Sequence, residues 1–229
     1  WLGLVGSEMC IRDRYDVIAY SALSLTRSST FNVIATEDNT TLNIQYNGWT
    51  ALTNGNKKFD KGGQETVTLN QGQVYCVIAY TAIPLVPPED VNNISSDLSG
   101  TRISADKPIS VFGGNECAYA GECPFCDHLY EQIRPVKSWG YKYNVCPTYK
   151  LPVVSSDIVK LYATEDNTVI TISGQLPVTL DAKQSHHFEI ASPVFVESTK
   201  PIHVSQYLKG SSCNTCLLYT SDAADDLFR

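Results

Sequence analysis

Three cysteines and a histidine lie close together in the middle of the chain and could carry chemistry. Cys123 and Cys126 have two residues between them, which is the spacing of thiol–disulfide redox sites. Zinc could use the same thiols together with Cys117 and His128, because four Cys and His ligands complete a tetrahedral site. Structural disulfides are the third possibility. The residue types alone leave all three roles open.

The segments around this cluster favour disulfides. A redox Cys-x-x-Cys pair works at the start of a helix, where the helix dipole lowers the pKa of the thiol. Here the cysteines follow a glycine-rich, acidic stretch, and no βαβ pattern surrounds them. The cysteine content of the chain also indicates an oxidising compartment, where a zinc–thiolate cage is less expected than disulfides.

Both ends of the chain look foreign to the rest. One DNA segment can encode residues 9–13 on one strand and, read in another frame, residues 216–220 on the other. Inverted transposon ends in sequencing libraries have this property. We therefore predict that residues 1–14 and 216–229 are adapter-like artefacts that pack little on the domain. On this reading the remaining sequence is a fragment open at both ends, in which a signal peptide cannot be judged.

Composition limits the classes of partner. The chain carries a net charge of −7, and leaving out the net −2 of the last segment gives −5. This acidic balance argues against nucleic acid, which requires clustered Lys and Arg. No apolar run approaches the ~20 residues of a membrane helix. Six cysteines outside the two ends, with glycosylation sequons at Asn39 and Asn93, indicate a secreted or extracellular protein.

The sequence contains an internal duplication. The hexapeptide Ala-Thr-Glu-Asp-Asn-Thr occurs at residues 35–40 and again at 163–168, and shorter matches follow in the same order. Ordered matches of this kind indicate repeated structural units. We predict a first β repeat at 15–114, a cysteine-rich connector at 115–142 and a truncated second β repeat at 143–215.

Each repeat consists of short alternating runs rich in Val, Ile, Thr and Tyr, separated by turn residues. This pattern predicts an all-β fold of tandem β-sandwich-like repeats joined by the connector. Glu37-Asp38 and Glu165-Asp166 lie between two such runs. Calcium could bind there, but no Asp-x-Asp-x-Asp-Gly array is present. A hairpin turn is the better interpretation, since Asn and Asp tolerate left-handed geometry.

No enzyme motif is found among the remaining polar residues. The sequence has neither a His-Glu-x-x-His nor a Gly-x-Ser-x-Gly motif, so we predict no catalytic, cofactor or metal site. Alternation places His187 opposite Phe188 and Ile190, and we expect the strand histidines to lie at the surface. Trp139 precedes a glycine next to the second repeat, where packing of a domain junction is favoured over sugar binding.

The central segment resembles the N-terminal domain of the IgGFc-binding protein family. The residues that carry the resemblance are Asp97-Leu98-Ser99-Gly100, Lys107-Pro108-Ile109-Ser110-Val111, Cys117, Cys126, His128, Glu131-Gln132, Pro135 and Trp139-Gly140. The resemblance implies a secreted, non-catalytic binding or structural module that presents loops to an extracellular protein or glycan, in settings such as mucus or matrix. Immunoglobulin Fc is implied by the family name alone.

Two alternatives to this interpretation remain. One is a thiol–disulfide module centred on Cys123 and Cys126, and the other is a glycan-binding β-sandwich. The resemblance singles out His128, Glu131, Gln132 and Trp139 as candidates for a binding surface.

The resemblance also bears on the cysteines. In the family pattern, cysteines at positions 117 and 126 frame a loop, so we predict a Cys117–Cys126 disulfide, whose closure of a short ring contributes roughly 2–3 kcal/mol. Cys123 and Cys146 depart from the pattern and are predicted to bond each other. Cys213 is expected to lack a partner in this chain. Cys76 is expected to be a buried thiol on an inward face.

Overall fold

The computed structural model describes residues 14–20, 28–53, 57–80, 97–121, 123, 126–148, 156–209 and 213. Of the two ends predicted to be adapter-like, only Arg14 is described. It begins the first strand, and its Nη2 donates a hydrogen bond of 2.8 Å to Oγ1 of Thr164.

The described residues form β-strands and a short 3-10 helix at Val136–Ser138. The strands are β1 (Arg14–Asp16), β2 (Ser29–Ala35), β3 (Thr40–Gln45), β4 (Thr50–Thr53), β5 (Gln64–Leu69), β6 (Val74–Ala79), β7 (Arg102–Ala105), β8 (Ile109–Ala118), β9 (Asp127–Ile133), β10 (Gly140–Val145), β11 (Asp157–Ala163), β12 (Thr168–Ile172), β13 (Val178–Leu180), β14 (Ser185–Ile190) and β15 (Val194–Tyr207).

These strands pair into three antiparallel sheets. The first has the order β1-β7-β3-β5, and the second has the order β4-β6-β2-β8-β9. Alternate residues of both sheets, among them Phe31, Leu42, Val77 and Ile103, share one hydrophobic core. The third sheet has the order β13-β12-β15-β11-β14, with β10 also paired to β15, and it encloses a second core. The predicted fold class, all-β with sandwich-like sheets, is confirmed.

The same strand pairings occur twice along the chain. The order β1-β7-β3-β5 recurs as β10, the start of β15, β12 and β13. The order β6-β2-β8 recurs as β14, β11 and the end of β15. Where the first copy has two strands, β7 and β8, the second has the single 14-residue strand β15. Among the described residues, β4 and β9 have no counterpart in the second copy.

The duplicated hexapeptide forms the same turn in both copies. Asn39 and Asn167 have φ angles of 54° and 53°, in the left-handed region that Asn tolerates. The following threonines, Thr40 and Thr168, each donate their hydroxyl to the carbonyl three residues earlier, at 2.7 Å in both copies. The turn is therefore built from hydrogen bonds within the hexapeptide.

The aspartates of the hexapeptide tie this turn to the next hairpin. Oδ1 of Asp38 accepts a hydrogen bond of 3.0 Å from the backbone N–H of Gln71, and Oδ1 of Asp166 accepts one of 2.9 Å from that of Ala182. Both hydrogen bonds are solvent-exposed, and each holds the hexapeptide turn beside the turn of the following hairpin. The two aspartates thus have a structural role that requires no calcium.

The prediction for Cys76 is wrong about its face. Val77 is buried opposite Phe31, whereas Cys76 is half-buried on the other side of the sheet. Phe188 lies opposite Val159 in β11, so it corresponds to Val77 rather than Cys76. A one-residue slip in the alignment moved the side chain to the wrong face, because side chains alternate along a strand.

A buried lysine joins the two halves of the chain. Lys160 in β11 is only 1% exposed, and its Nζ donates to the carbonyl of Ala19 at 2.9 Å, to Oδ2 of Asp97 at 3.0 Å and to Oγ of Ser99 at 2.7 Å. Burial by itself would raise the pKa of Asp97, but the Lys160 ammonium and the hydrogen bonds of Ser99 hold that pKa below its usual value. All three donor positions of the ammonium are satisfied.

A buried carboxylate forms a second connection. Asp16 is fully buried in β1, and its Oδ2 accepts a hydrogen bond of 2.8 Å from Oγ1 of Thr164, which follows β11. Arg102 approaches the same carboxylate with Nε at 3.1 Å. The hydroxyl of Tyr162, whose ring belongs to the first core, lies 3.5 Å from it. The two halves therefore share a polar and an apolar contact.

We expect Lys160→Ala to lower the free energy of unfolding by about 3–5 kcal/mol, because it leaves a carboxylate and a carbonyl without their buried donor. The stability that Asp97 contributes is present at neutral pH and is lost as the pH falls below about 4, since its folded pKa is lowered. Urea unfolding followed by circular dichroism at pH 7 and pH 3 measures both effects.

The matched control is Lys142→Ala, which removes an exposed ion pair with Glu197 at 2.8 Å and should cost less than about 1 kcal/mol. Equal losses for the two variants at pH 7 would contradict a structural role for Lys160.

Candidate functional site

A cleft of about 1000 Å³ lies between β9 and the end of β15. We call it the β9–β15 cleft. Its walls are residues 127–134 and residues 203–209, and further contributions come from Ile18, Gly113, Gly114, Ser138, Trp139, Gly140 and Tyr143. It therefore collects residues from the first copy, the connector and the second copy. Its volume lies at the upper end of the range of ligand pockets.

The four residues predicted to form a binding surface all line this cleft: His128, Glu131, Gln132 and Trp139. The first three lie on β9 and are exposed. β9 pairs with β8, so the connector adds an edge strand to the second sheet rather than forming a separate loop. These residues belong to the predicted connector, whose sequence pattern does not indicate that strand.

Two glycines allow this hairpin to pack closely. A Cβ atom on Gly114 would overlap the carbonyl oxygen of Leu129, and one on Gly113 would overlap that of Ile18. Only glycine permits backbone to approach at these positions. The glycine-rich stretch before the cysteines thus brings β9 and residue 18 to the cleft.

Trp139 forms part of the wall and does not present its ring to solvent. It is 7% exposed, and its indole N–H donates to the carbonyl of Arg134 at 3.2 Å. Its ring meets Tyr162 and His203 edge-on, with centroids 5.8 and 5.2 Å away. Packing of the junction, the interpretation favoured from the sequence, accounts for these contacts.

His187 on β14 is exposed, as expected, whereas His203 on β15 lies at the cleft. It is half-buried in the cleft wall, and its Nδ1 lies 3.1 Å from Oγ of Ser205. Burial, with smaller contributions from Arg134 and Lys160, lowers the pKa of His203 to about 4, so the imidazole is neutral at pH 7. The sequence could not show that the outer side of this strand faces a second wall.

The outer side of β9 carries a row of aromatic rings. His128 stacks on Tyr130 with centroids 5.6 Å apart, and Tyr130 stacks on Phe112 of β8 at the same separation. Nδ1 of His128 lies 3.3 Å from the carbonyl oxygen of Glu116. Tyr130 is 37% exposed, so the rim of the cleft offers an accessible aromatic surface.

Cys117 and Cys126 form a disulfide, with Cα atoms 5.0 Å apart, as predicted. The bond closes the tip of the β8–β9 hairpin over nine positions of sequence. It therefore fixes the start of β9, and with it one wall of the cleft.

The predicted Cys123–Cys146 bond is wrong, and so is the expectation that Cys213 lacks a partner. Cys123 bonds Cys213, with Cα atoms 5.7 Å apart, while Cys146 is an exposed thiol. The physical reason is that the hairpin tip lies beside the end of β15: a Cβ atom on Gly121 would lie 2.7 Å from the side chain of Lys209. No local pattern in the sequence indicates this proximity.

These pairings answer the question of chemistry in the cysteine cluster. Cys123 is 1% exposed, and Cys123 and Cys126 each bond a different cysteine. A redox Cys-x-x-Cys pair would bond internally, so the thiol–disulfide alternative is not supported. Zinc would require thiolates that the two disulfides consume. Among the residues that the structure describes, no group of three or more His, Cys, Asp or Glu is placed to hold a metal.

Of the two predicted glycosylation sites, Asn39 lies exposed in the β2–β3 turn. Asn93 lies outside the described residues. No helix in the described part of the chain is long and apolar enough to span a membrane.

Comparisons with known proteins agree with the resemblance seen in the sequence. A family model described as IgGFc binding protein matches residues 7–225. The matched range extends into both ends assigned to adapter-like sequence, so that assignment stays a prediction. The human IgGFc-binding protein is 39% identical over an alignment of 74 residues that covers 29% of this chain and 1% of that protein. The chain thus corresponds to a very small part of that relative.

One solved structure, an anti-sigma factor domain-containing protein from Clostridium clariflavum, aligns over 90% of this chain and 91% of its own, with a TM-score of 0.20 and 9% identity. A likeness this weak carries no argument about fold or function.

We expect peptide mapping under non-reducing conditions to recover the Cys117–Cys126 and Cys123–Cys213 bonds. In the native protein, iodoacetamide should alkylate Cys146 within minutes and Cys76 much more slowly, because burial raises the pKa of Cys76 and limits access to it. Mass spectrometry of the alkylated peptides distinguishes the two sites. Recovery of a Cys123–Cys146 peptide would contradict the assignment.

We expect the stability of the protein to fall as the pH drops from about 6.5 to about 4. His203 has a lowered pKa in the folded state, so in this window unfolding takes up a proton and acid favours the unfolded chain. Thermal unfolding of the wild type and of His203→Gln between pH 4 and 7 measures this effect. The variant should show the shallower dependence on pH, and equal slopes would show that His203 contributes nothing to it.

Proposed function

Since this chain belongs to the IgGFc binding protein family, we propose that it is a secreted, non-catalytic binding module that contacts a protein partner through the β9–β15 cleft. The observation that carries the proposal is the convergence of His128, Glu131 and Gln132, the exposed residues singled out by the family resemblance, on this one cleft. Family membership supports binding as the activity, and the exposed residues along the cleft support the cleft as the binding site.

The cleft is preformed, which favours binding without a large ordering cost. Disulfides fix the hairpin tip at two points, Cys117–Cys126 and Cys123–Cys213. In the chain-entropy model the second bond, which spans 90 residues, stabilises the fold by roughly 4–5 kcal/mol. Two disulfides also suit a secreted protein in an oxidising setting such as mucus or the extracellular matrix.

The rim has the composition of a protein-binding surface. Tyr130 and Leu208 are 37% and 43% exposed, and the charged and polar side chains of Glu131, Gln132 and Arg134 surround them. Aromatic and aliphatic anchors within a polar rim are typical of protein interfaces. A glycan is less well supported, because the tryptophan of the cleft is buried and the name of the family describes binding to a protein.

Human IgG Fc fragment is the first probe, because Fc binding is what the name of the family describes. We expect surface plasmon resonance on the immobilised full chain to show saturable binding. Glu131→Lys should weaken it by about tenfold, since it reverses a charge at the rim. The matched control is Glu37→Lys, which makes the same change in an exposed turn away from the cleft.

Equal loss in both variants, or none in either, would contradict the cleft as the site. An absence of Fc binding would exclude Fc as the partner. Saturable binding on a glycan array that Glu131→Lys abolishes, with no protein binding, would replace the proposal with the glycan-binding alternative.

A further inference from the structure

The two walls of the cleft are edges of β-sheets. β9 is the last strand of its sheet, and the end of β15 pairs with β11 on one side over residues 202–207. Eight consecutive residues of one wall, 127–134, and seven of the other, 203–209, line the cleft. A strand that turned its face to the cleft would contribute only alternate residues, so both strands present their edges.

The internal duplication shows what belongs at the second of these edges. In the first copy, β8 has β2 on one side and β9 on the other. In the second copy, the end of β15 corresponds to β8 and has β11 on the side that corresponds to β2. Among the described residues nothing pairs with its other side beyond Ile202, which meets Gly140. The position that β9 fills in the first copy is therefore open in the second.

We propose that an extended segment of a protein partner adds to the end of β15 as a new β-strand, in the position that β9 occupies beside β8. The proposal rests on the proposed function and specifies how the partner is held. Strand addition is a recurring mode of peptide recognition, in which main-chain hydrogen bonds supply affinity and pockets for alternate side chains supply specificity.

The surroundings of the open edge define the chemistry of the segment. Leu129 of β9 and Tyr207 of β15 both pack on one small cluster below the cleft, formed by Tyr20, Ala118, Ala120 and Ile158. Because side chains alternate along a strand, His203, Ser205 and Tyr207 share one face of β15. Every second residue of an added strand would lie on that face, beside the polar His203 and Ser205 near Ile202 and beside the apolar Tyr207 and Leu129 at the other end. We therefore infer a segment of about six residues whose side chains on that face are polar near Ile202 and apolar near Tyr207.

One end of the site is already closed. The hydroxyl of Tyr143 donates to the carbonyl of Ile202 at 2.6 Å and accepts from the N–H of Gly140 at 2.7 Å. At the corresponding end of β9, the indole N–H of Trp139 donates a hydrogen bond to the carbonyl of Arg134. Beyond these points, the outer edge of β9 and the edge of β15 over residues 203–207 pair with no other strand among the described residues. An added strand antiparallel to β15, as β9 is to β8, would thus begin beside Tyr207 and end next to Ile202.

The test uses a display library of linear 12-residue peptides selected on the full chain with both disulfides intact. The best peptide is resynthesised and titrated into the ¹⁵N-labelled protein. We expect every second amide between Ile202 and Tyr207 to exchange fast in the free protein and at least tenfold more slowly in the complex. The intervening amides, which bond β11, should exchange slowly in both states and serve as an internal control.

Two further measurements test separately where the peptide binds and whether it binds as a β-strand. Leu208→Asp should weaken the peptide by about tenfold, because it places a charge beside the apolar contact. Leu176→Asp, the same change at an 87% exposed residue outside the cleft, should have no effect. N-methylation of the peptide amides that bond β15 should lower the affinity of the peptide at least tenfold. N-methylation of the intervening amides should lower it less than threefold.

The outcomes are distinguishable. Sensitivity to Leu208→Asp without the amide pattern or the N-methyl pattern would leave the cleft as the binding site and overturn strand addition. Insensitivity to Leu208→Asp would overturn strand addition at this edge, whereas loss of Fc binding in Glu131→Lys would still support the cleft as the protein-binding site. Failure to select any peptide, or a concentration-dependent dimer in which the two edges pair with another copy of the chain, would also overturn a partner strand as the occupant.

Discussion

The ammonium group of Lys160 is the contact on which the arrangement of the two halves depends. It stands in β11, yet its three partners, Ala19, Asp97 and Ser99, belong to the first half. A charge this deeply buried is costly unless every donor finds an acceptor, so this contact permits one relative position of the halves. Lys160 lies opposite Ser205 in β15, and the segment that it holds includes Ile18 in the cleft. The lysine therefore fixes the position of Ile18 in the cleft as well as the contact between the two halves.

The position of Ile18 in the cleft depends on the buried ion pair of Lys160, whereas the two walls of the cleft are held by disulfide bonds. The connector contributes the edge strand β9, and the disulfides hold the tip of its hairpin to β8 and to the segment after β15. The cleft therefore lies between halves that cannot move apart without breaking the buried ion pair or a disulfide. Such a rigid frame suits recognition, because little conformational entropy is lost when a partner binds.

Local patterns in the sequence predicted the local structures, and the errors concern long-range contacts. The alternation of residues in β2 or β12 shows a strand, and the Asn of the hexapeptide shows a left-handed turn, because both depend on neighbours in sequence. The pairing of Cys123 with Cys213 depends on where β15 ends relative to the hairpin tip, which no local pattern records. The error for Cys76 arose from a one-residue slip between the copies, which is enough to reverse a face.

For the candidate site as well, the sequence indicated individual residues but not the long-range contacts between them. His128, Glu131 and Gln132 could be named from the family resemblance, but their meeting with His203 and the end of β15 follows from the packing of the two copies.

The central claim, that this cleft is the binding surface, is tested most directly by hydrogen–deuterium exchange mass spectrometry of the full chain with and without human IgG Fc. The account predicts slower exchange in peptides covering residues 127–134 and 203–209, with no change in the turns at 36–39 and 164–167. Slower exchange in those turns, with unchanged exchange along the cleft, would contradict it.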